Sequence, residues 1–419
     1  MFSNVHIMHW KVHLRNTIPM LADAYQNGVK TGDFETAGYA AYGVCYNSFF
    51  AGEELTQLEQ KTVFYSKSID QIRRESPSNW LAILQQTILN LLDRTENPSR
   101  LVGRVFNEEE ALPHALAVKD GTAIQMLYLH KVILFYLFEE YHQAEQTAIL
   151  ARQHFEDVTA ITVLPIFCFY HSLALLSLSL EASNSEKAAW LSCVSSNQEK
   201  MRKWAEHAPM NYLHKFHLVE AEKARVSGQF FEAEELYERA IAGAAENEYI
   251  QEEALAYELA AKHYLARGRE KIAQTYMKEA HYCYDRWGAT AKAKDLEKRY
   301  PQFFPQSSRA TSASIPITAK TISNPFHTAF DLAAVMKASQ AISREIELKQ
   351  LLRSLMQTVI ENAGAQTGYL ILENSGEWSI EAACELNADE NACATQVLQS
   401  IPIADQLPES IIQYVIRTL

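Results

Sequence analysis

Apolar residues recur every three to four positions through most of the first 300 residues, the spacing that collects them on one face of an α-helix. Gly and Pro are sparse in this stretch and fall between the periodic segments, where they punctuate helix ends. The pattern predicts a long succession of helices. The most apolar run, roughly 161–180, is long enough to weigh as a membrane span. It carries Pro165, His171 and several Ser and Cys residues, and it lacks flanking anchors, so it reads as a buried hairpin helix.

The helices repeat. Counting from Gly228, Ala233 stands at +5, Tyr237 at +9 and Ala240 at +12; from Gly268 the same offsets hold Ala273, Met277 and Ala280. Alternating large and small residues let one helix nest against its neighbour, and the glycine ends the preceding helix. Weaker echoes follow Gly32 (Ala37, Ala41, Val44) and Glu139 (Ala144, Ala148, Ala151). Upstream faces match too: Leu218, Ala221, Glu222 and Arg225 precede Gly228, and Leu255, Glu258, Leu259, Ala261 and Tyr264 precede Gly268. Such helix-turn-helix units are of the tetratricopeptide kind, with a 40-residue period in place of about 34. They predict an α-solenoid, less regular than the standard one.

The pattern then breaks. Ser, Thr and Pro dominate from Pro305 to Pro325 and no apolar face can be drawn, as in an exposed linker. Beyond it, Leu332 to Ile342 reads as a helix, and Ile346, Leu348, Leu351, Leu352, Leu355, Val359 and Ile360 form a second helical stripe. Gly368–Leu372, a turn at Asn374–Glu377 and Trp378–Cys384 predict a β-hairpin, with Tyr369, Ile371, Trp378 and Ile380 facing the Leu351/Leu355 helix. A polar stretch follows, then a helix begun by Pro408.

The formal net charge of −13 argues against nucleic acid as a bulk partner, because phosphate neutralisation needs clustered Lys and Arg. Lys292, Lys294, Lys298 and Arg299 are interleaved with acids and read as a solvated helix face. Cysteines at 45, 168, 193, 283, 384 and 393 include no CxxC pair. They suit small core residues of a reducing, cytoplasmic compartment, and Cys384 and Cys393 lie in no chromophore-attachment motif. His6, His9 and His13 could share a helical face, a workable metal geometry, though no acid stands near to fix their tautomers. Tyr257, Tyr264, Tyr276, Tyr282 and Tyr284 suit either inter-repeat packing or a peptide groove. Neither GxxxxGK[ST], an HRD/DFG pair nor GxSxG occurs, so no catalytic, cofactor-binding or metal site is assigned.

The stretches Leu332–Ser343, Glu361–Leu372 and Leu407–Val415 resemble the start of GAF domains, specifically those of large bacterial multi-sensor signal transduction kinases. The segments His9–Leu14, Lys203–Lys215 and Tyr284–Pro301 are similar to the region that follows the ATPase in the same proteins. The resemblance implies a mainly α chain: a tetratricopeptide-like α-solenoid (1–304), a linker (305–330) and a truncated α/β, GAF-like domain (331–419). It implies a regulatory, protein-interaction and sensory segment without kinase or ATPase motifs of its own. Protein partners such as kinase and ATPase modules are expected, without nucleic acid or a membrane span. A small-molecule ligand is doubtful, since the later strands and helices of a GAF pocket are missing. A free-standing repeat scaffold is the alternative, and an enzyme using the histidines a third reading. Residues 331–419 expressed alone are expected to melt without a cooperative transition, because the sheet is incomplete. A sharp two-state melt contradicts this.

Overall fold

The computed structural model describes residues 7–154, 162–180, 182–304, 367–374, 377–386 and 393–402. The chain divides into two compact units, Met1–Ala310 and Thr311–Leu419. The described part of the first unit is helical. Two short 3-10 turns, Met8–Trp10 and Leu14–Asn16, lead into α1 (Thr17–Thr31), α2 (Phe34–Phe50), α3 (Leu55–Gln71), α4 (Glu75–Leu91), α5 (Glu108–Val118), α6 (Gly121–Leu137) and α7 (Tyr141–Arg152). Then come α8 (Val163–Leu178), α9 (Asn184–His207), α10 (Pro209–Val226), α11 (Phe230–Glu246), α12 (Ile250–Ala266), α13 (Glu270–Trp287) and α14 (Thr290–Arg299).

Turns set the architecture. A residue with positive φ stands at positions 32, 52, 73, 93, 119, 139, 228, 248, 268 and 288, mostly 20 or 21 residues apart. Each ends a helix in the left-handed conformation that redirects the chain. Two helix-plus-turn modules make one 40-residue hairpin, the period between Gly228 and Gly268. Half of these residues are not glycine: Arg73, Asp93, Lys119, Glu139 and Glu248 adopt the same conformation at a cost of about 1 kcal/mol each. The small residues that follow the turns lie at the helix contacts, with Ala37, Ala144, Ala233 and Ala273 all fully buried.

The helices sort into two layers. The even-numbered α2, α4, α6, α8, α10 and α12 pack side by side, and the odd-numbered ones pack outside them. In α6, 14 of the 17 residues are buried; in outer α9, only 5 of the 24 are. A helix surrounded by others is apolar on all sides, whereas an outer one needs a single apolar stripe. The apolar run at 161–180 is thereby explained as α8, an inner helix. Among the described residues no helix is long and apolar enough to cross a membrane.

The array also closes on itself, which the repeat pattern does not announce. Trp287 at the end of α13 packs 5.9 Å from Phe49 of α2, and Gln251 donates 2.9 Å to the Phe50 carbonyl. Gly288 (φ 90°) is pressed against the start of α3, where an added Cβ would stand 2.8 Å from a Glu54 carboxylate oxygen. An open solenoid touches only its sequence neighbours; here hairpins some 200 residues apart share a core.

In the second unit three antiparallel strands, β1 (Thr367–Asn374), β2 (Glu377–Leu386) and β3 (Cys393–Pro402), lie in the order β1-β2-β3. The first two are the expected hairpin, in register Thr367↔Glu385 to Asn374↔Glu377 with a bulge at Leu370/Ile371. The third corrects the polar stretch expected there: Thr395, Val397 and Ile401 supply the β-branched positions of a strand paired to β2. Tyr369 is exposed, contrary to the expected core position. The linker and the helices expected around 332–362 and after Pro408 lie outside the described residues.

Burial also sets an acid limit. His130, between Phe49 and Phe50, His171 and His214 are desolvated, which lowers them from 6.5 to about 3, 3 and 4. Each is neutral when folded and takes up a proton on unfolding below pH 6.5, so stability falls as pH falls. Together the three remove about 4 kcal/mol per pH unit once the pH is well below 6.5. Urea midpoints should therefore drop steeply from pH 6 to pH 5, and His130→Leu should flatten that slope by about a third. A pH-independent midpoint across this range contradicts the assignment.

Candidate functional site

The interior of a helical array has little use for charge, yet several ionic clusters sit in this one, three of them around carboxylates of α10 and α12. The largest is built around Glu258 of inner α12. Its carboxylate accepts from Lys292 of α14 at 2.9 Å, Lys262 at 2.7 Å and the Tyr284 hydroxyl at 2.9 Å. Lys292 is itself fully buried and donates to the Leu137 carbonyl at the end of α6, at 2.5 Å. Arg299 of α14 reaches the Phe138 carbonyl at 2.8 Å and Glu139 at 3.0 Å. Burial would raise the Glu258 carboxyl; Lys262 and Lys292 outweigh it and hold the group at about 2. Of the basic residues at 292–299, Lys294, Lys298 and Arg299 lie on the exposed face expected of them, and Lys292 departs from it by being buried. Lys292 and Arg299 fasten the last helix to the turn after α6, and Lys294 meets Asp93 at 2.5 Å.

The second cluster pairs Glu222 with Arg225 through two parallel bonds, at 3.0 and 2.5 Å, and takes the Tyr237 hydroxyl as well. It borders a half-open cleft of about 470 Å³ between the ends of α8, α10 and α12 and the turn Glu139–Gln143. Arg225, Lys262, Glu139 and Glu222 all line the cleft, but each is already ion-paired. Glu140 and His142 line it as well.

The third cluster lies under the N-terminal segment. Glu252 of α12 is shared by His214 and Lys215, the latter at 2.6 Å, and all three are buried. Tyr249 stacks between His13 (5.0 Å) and His214 (4.8 Å), with the Lys215 ammonium 4.4 Å from its ring centre. Asn211, 2 % exposed, donates to the carbonyls of His9 (2.8 Å) and Val12 (2.9 Å) and accepts from the Leu14 amide (3.0 Å) and the Tyr249 hydroxyl (2.6 Å). One buried amide side chain thus reads the backbone of a segment 200 positions away.

The histidines do not form the metal face that their spacing allowed. His9 belongs to one 3-10 turn and His13 caps the next. His9 Nδ1 bonds the Tyr212 hydroxyl and His13 Nε2 the Asn247 carbonyl, each at 2.8 Å; His6 lies outside the described residues. Among the described residues no group of three His, Cys, Asp or Glu is arranged to hold a metal ion. The tyrosines mostly pack between α12 and α13: Tyr276 meets Tyr257 at 5.9 Å and Tyr264 at 5.2 Å, while Tyr284 is buried against Glu258. Tyr282 alone of the five is largely exposed. Cys45, Cys168 and Cys283 are buried free thiols, and Cys193 is half-buried. Cys384 and Cys393 fall on β2 and β3. Glu222, Arg225 and Glu258 stand on the helix faces read from the repeat, but their ion pairs were not foreseen, and Asn211 and Glu252 were missed, since the repeat pattern carries no signal for either.

No family model matches the chain. A stretch of 53 residues is 43 % identical to hybrid signal transduction histidine kinase G of Dictyostelium discoideum. That match covers 13 % of this chain and 2 % of the kinase, a local link to signal-transduction kinases.

Removing one member of the first cluster should be costly. Glu258→Gln leaves Lys262 and Lys292 without their counter-charge, and stability should fall by about 3–5 kcal/mol. Equilibrium urea unfolding measures this, and a change below about 1 kcal/mol would show the cluster to be incidental.

Proposed function

We propose that the chain is a regulatory, protein-interaction and sensory segment of a bacterial multi-sensor signal transduction kinase, and that it catalyses nothing itself. The observation that carries this reading is the local identity to a hybrid signal transduction histidine kinase. It agrees with the resemblance of both units to segments of such kinases. In the helical unit the charged side chains of the interior clusters are committed to one another, an arrangement suited to a scaffold whose surface engages protein partners. The second unit is read as GAF-like, the part that would relay a signal to kinase and ATPase modules. Such relay needs an element with two states that both modules bias.

A phosphorylation assay tests this. The purified chain given radiolabelled ATP should incorporate no phosphate. Added to kinase and ATPase modules encoded next to it, it should change their autophosphorylation rate several-fold. Self-phosphorylation by the chain, or modules indifferent to it, would contradict the proposal.

A further inference from the structure

The segment Met8–Asn16 is held as a bound peptide is held. It contributes no long helix to the array, only two 3-10 turns. Its main chain is read by one side chain, Asn211, through the three bonds to His9, Val12 and Leu14. Its side chains enter separate subsites. Trp10 packs between Trp204 of α9 (5.8 Å) and Tyr212 of α10 (5.3 Å). His13 stacks on Tyr249 and bonds the Asn247 carbonyl, Leu14 is 4 % exposed, and Arg15 pairs with Glu248 and donates 3.2 Å to the Ala51 carbonyl. The opposite edge of the segment, at Ile7 and Lys11, is exposed. A void of about 10 Å³ remains where Leu14 meets Asn211, Lys215 and Glu252, room for about one water. The fit is therefore specific in its hydrogen bonds and incomplete in its packing.

We infer that the surface made by α9, α10 and the turn into α12 is a peptide-docking groove, occupied in the resting chain by Met8–Asn16 and open to a partner peptide of the same aromatic–x–x–His–Leu–Arg chemistry. Asn211 recognises any backbone in that conformation, while the indole pocket, the Tyr249 ring and Glu248 select the side chains. Occupation in cis acts as competition, because the tethered segment is present at high effective concentration and must leave before a partner enters. Thr17, fully buried, is the anchor that stays, its hydroxyl accepting from Asn47 of α2 (2.7 Å). This inference stands apart from the kinase reading, since it concerns what the helical unit binds in any setting.

A fluorescein-labelled peptide of residues 7–17 is the probe, read by anisotropy. It should bind the full chain carrying Trp10→Ala and Leu14→Ala at least tenfold more tightly than the unaltered chain, whose groove is filled. Adding Asn211→Ala should weaken that binding at least tenfold. Equal affinity for the altered and unaltered chains, or indifference to Asn211→Ala, overturns the inference. Should the variant not fold, native-state trypsin digestion of the unaltered chain decides. Cleavage after Lys11 and Arg15 while the array stays intact supports an exchangeable segment; resistance until global unfolding overturns it.

Discussion

Inner helices such as α2, α6 and α8, buried nearly all round, need neighbours on every side, and a row of hairpins supplies these when its two ends meet. One tie that holds the closed row together is Lys292, a fully buried ammonium that joins Glu258 of α12 to the carbonyl end of α6. Leaving any of these groups unpaired in that interior costs several kcal/mol, so the ions enforce one arrangement more than they add net stability. Trp287 on Phe49, Gln251 on the Phe50 carbonyl and Asn211 on the N-terminal segment follow from the same closure. Each joins elements more than 190 residues apart, which is why ends of the sequence become parts of one core.

Closure also explains the polar interior. Helices that would line the open concave face of a solenoid, with water to solvate their polar residues, are here turned toward one another. Gln125, His130, His171, His214 and Glu252 are accordingly buried, the histidines neutral and the carboxylates ionised against lysines. The chain's own Met8–Asn16 packs on α9, α10 and the turn into α12.

Much of the helical unit was legible in the sequence because helix periodicity and the residues after each turn report local geometry. Gly32, Gly228 and Gly268 marked turns, since glycine alone adopts positive φ without strain. Arg73, Asp93, Lys119 and Glu248 do the same work unannounced, so the modules that they end escaped recognition. Closure was illegible for a different reason. Lys292 looks like any solvated lysine of a charged helix, and only tertiary structure decides that α12 and α6 cover it. The shared helical face that the spacing of the histidines allowed is not what His9 and His13 adopt, since they stand on two separate turns. In the second unit the hairpin was announced by Gly368 and the Asn374–Glu377 turn, while β3 hid behind the Thr and Gln residues that precede Ile401.

The central claim is that the helical unit is one closed cooperative body rather than an open row of repeats. Native-state hydrogen exchange along a urea series tests it most directly, by comparing slow amides of α2, α6 and α12. Closure predicts that all three sets merge to one opening free energy, equal to that of global unfolding. Amides of α12 opening at a distinctly lower free energy, with α2 and α6 still protected, would mean that the ends do not hold each other and that the array unfolds as an open solenoid.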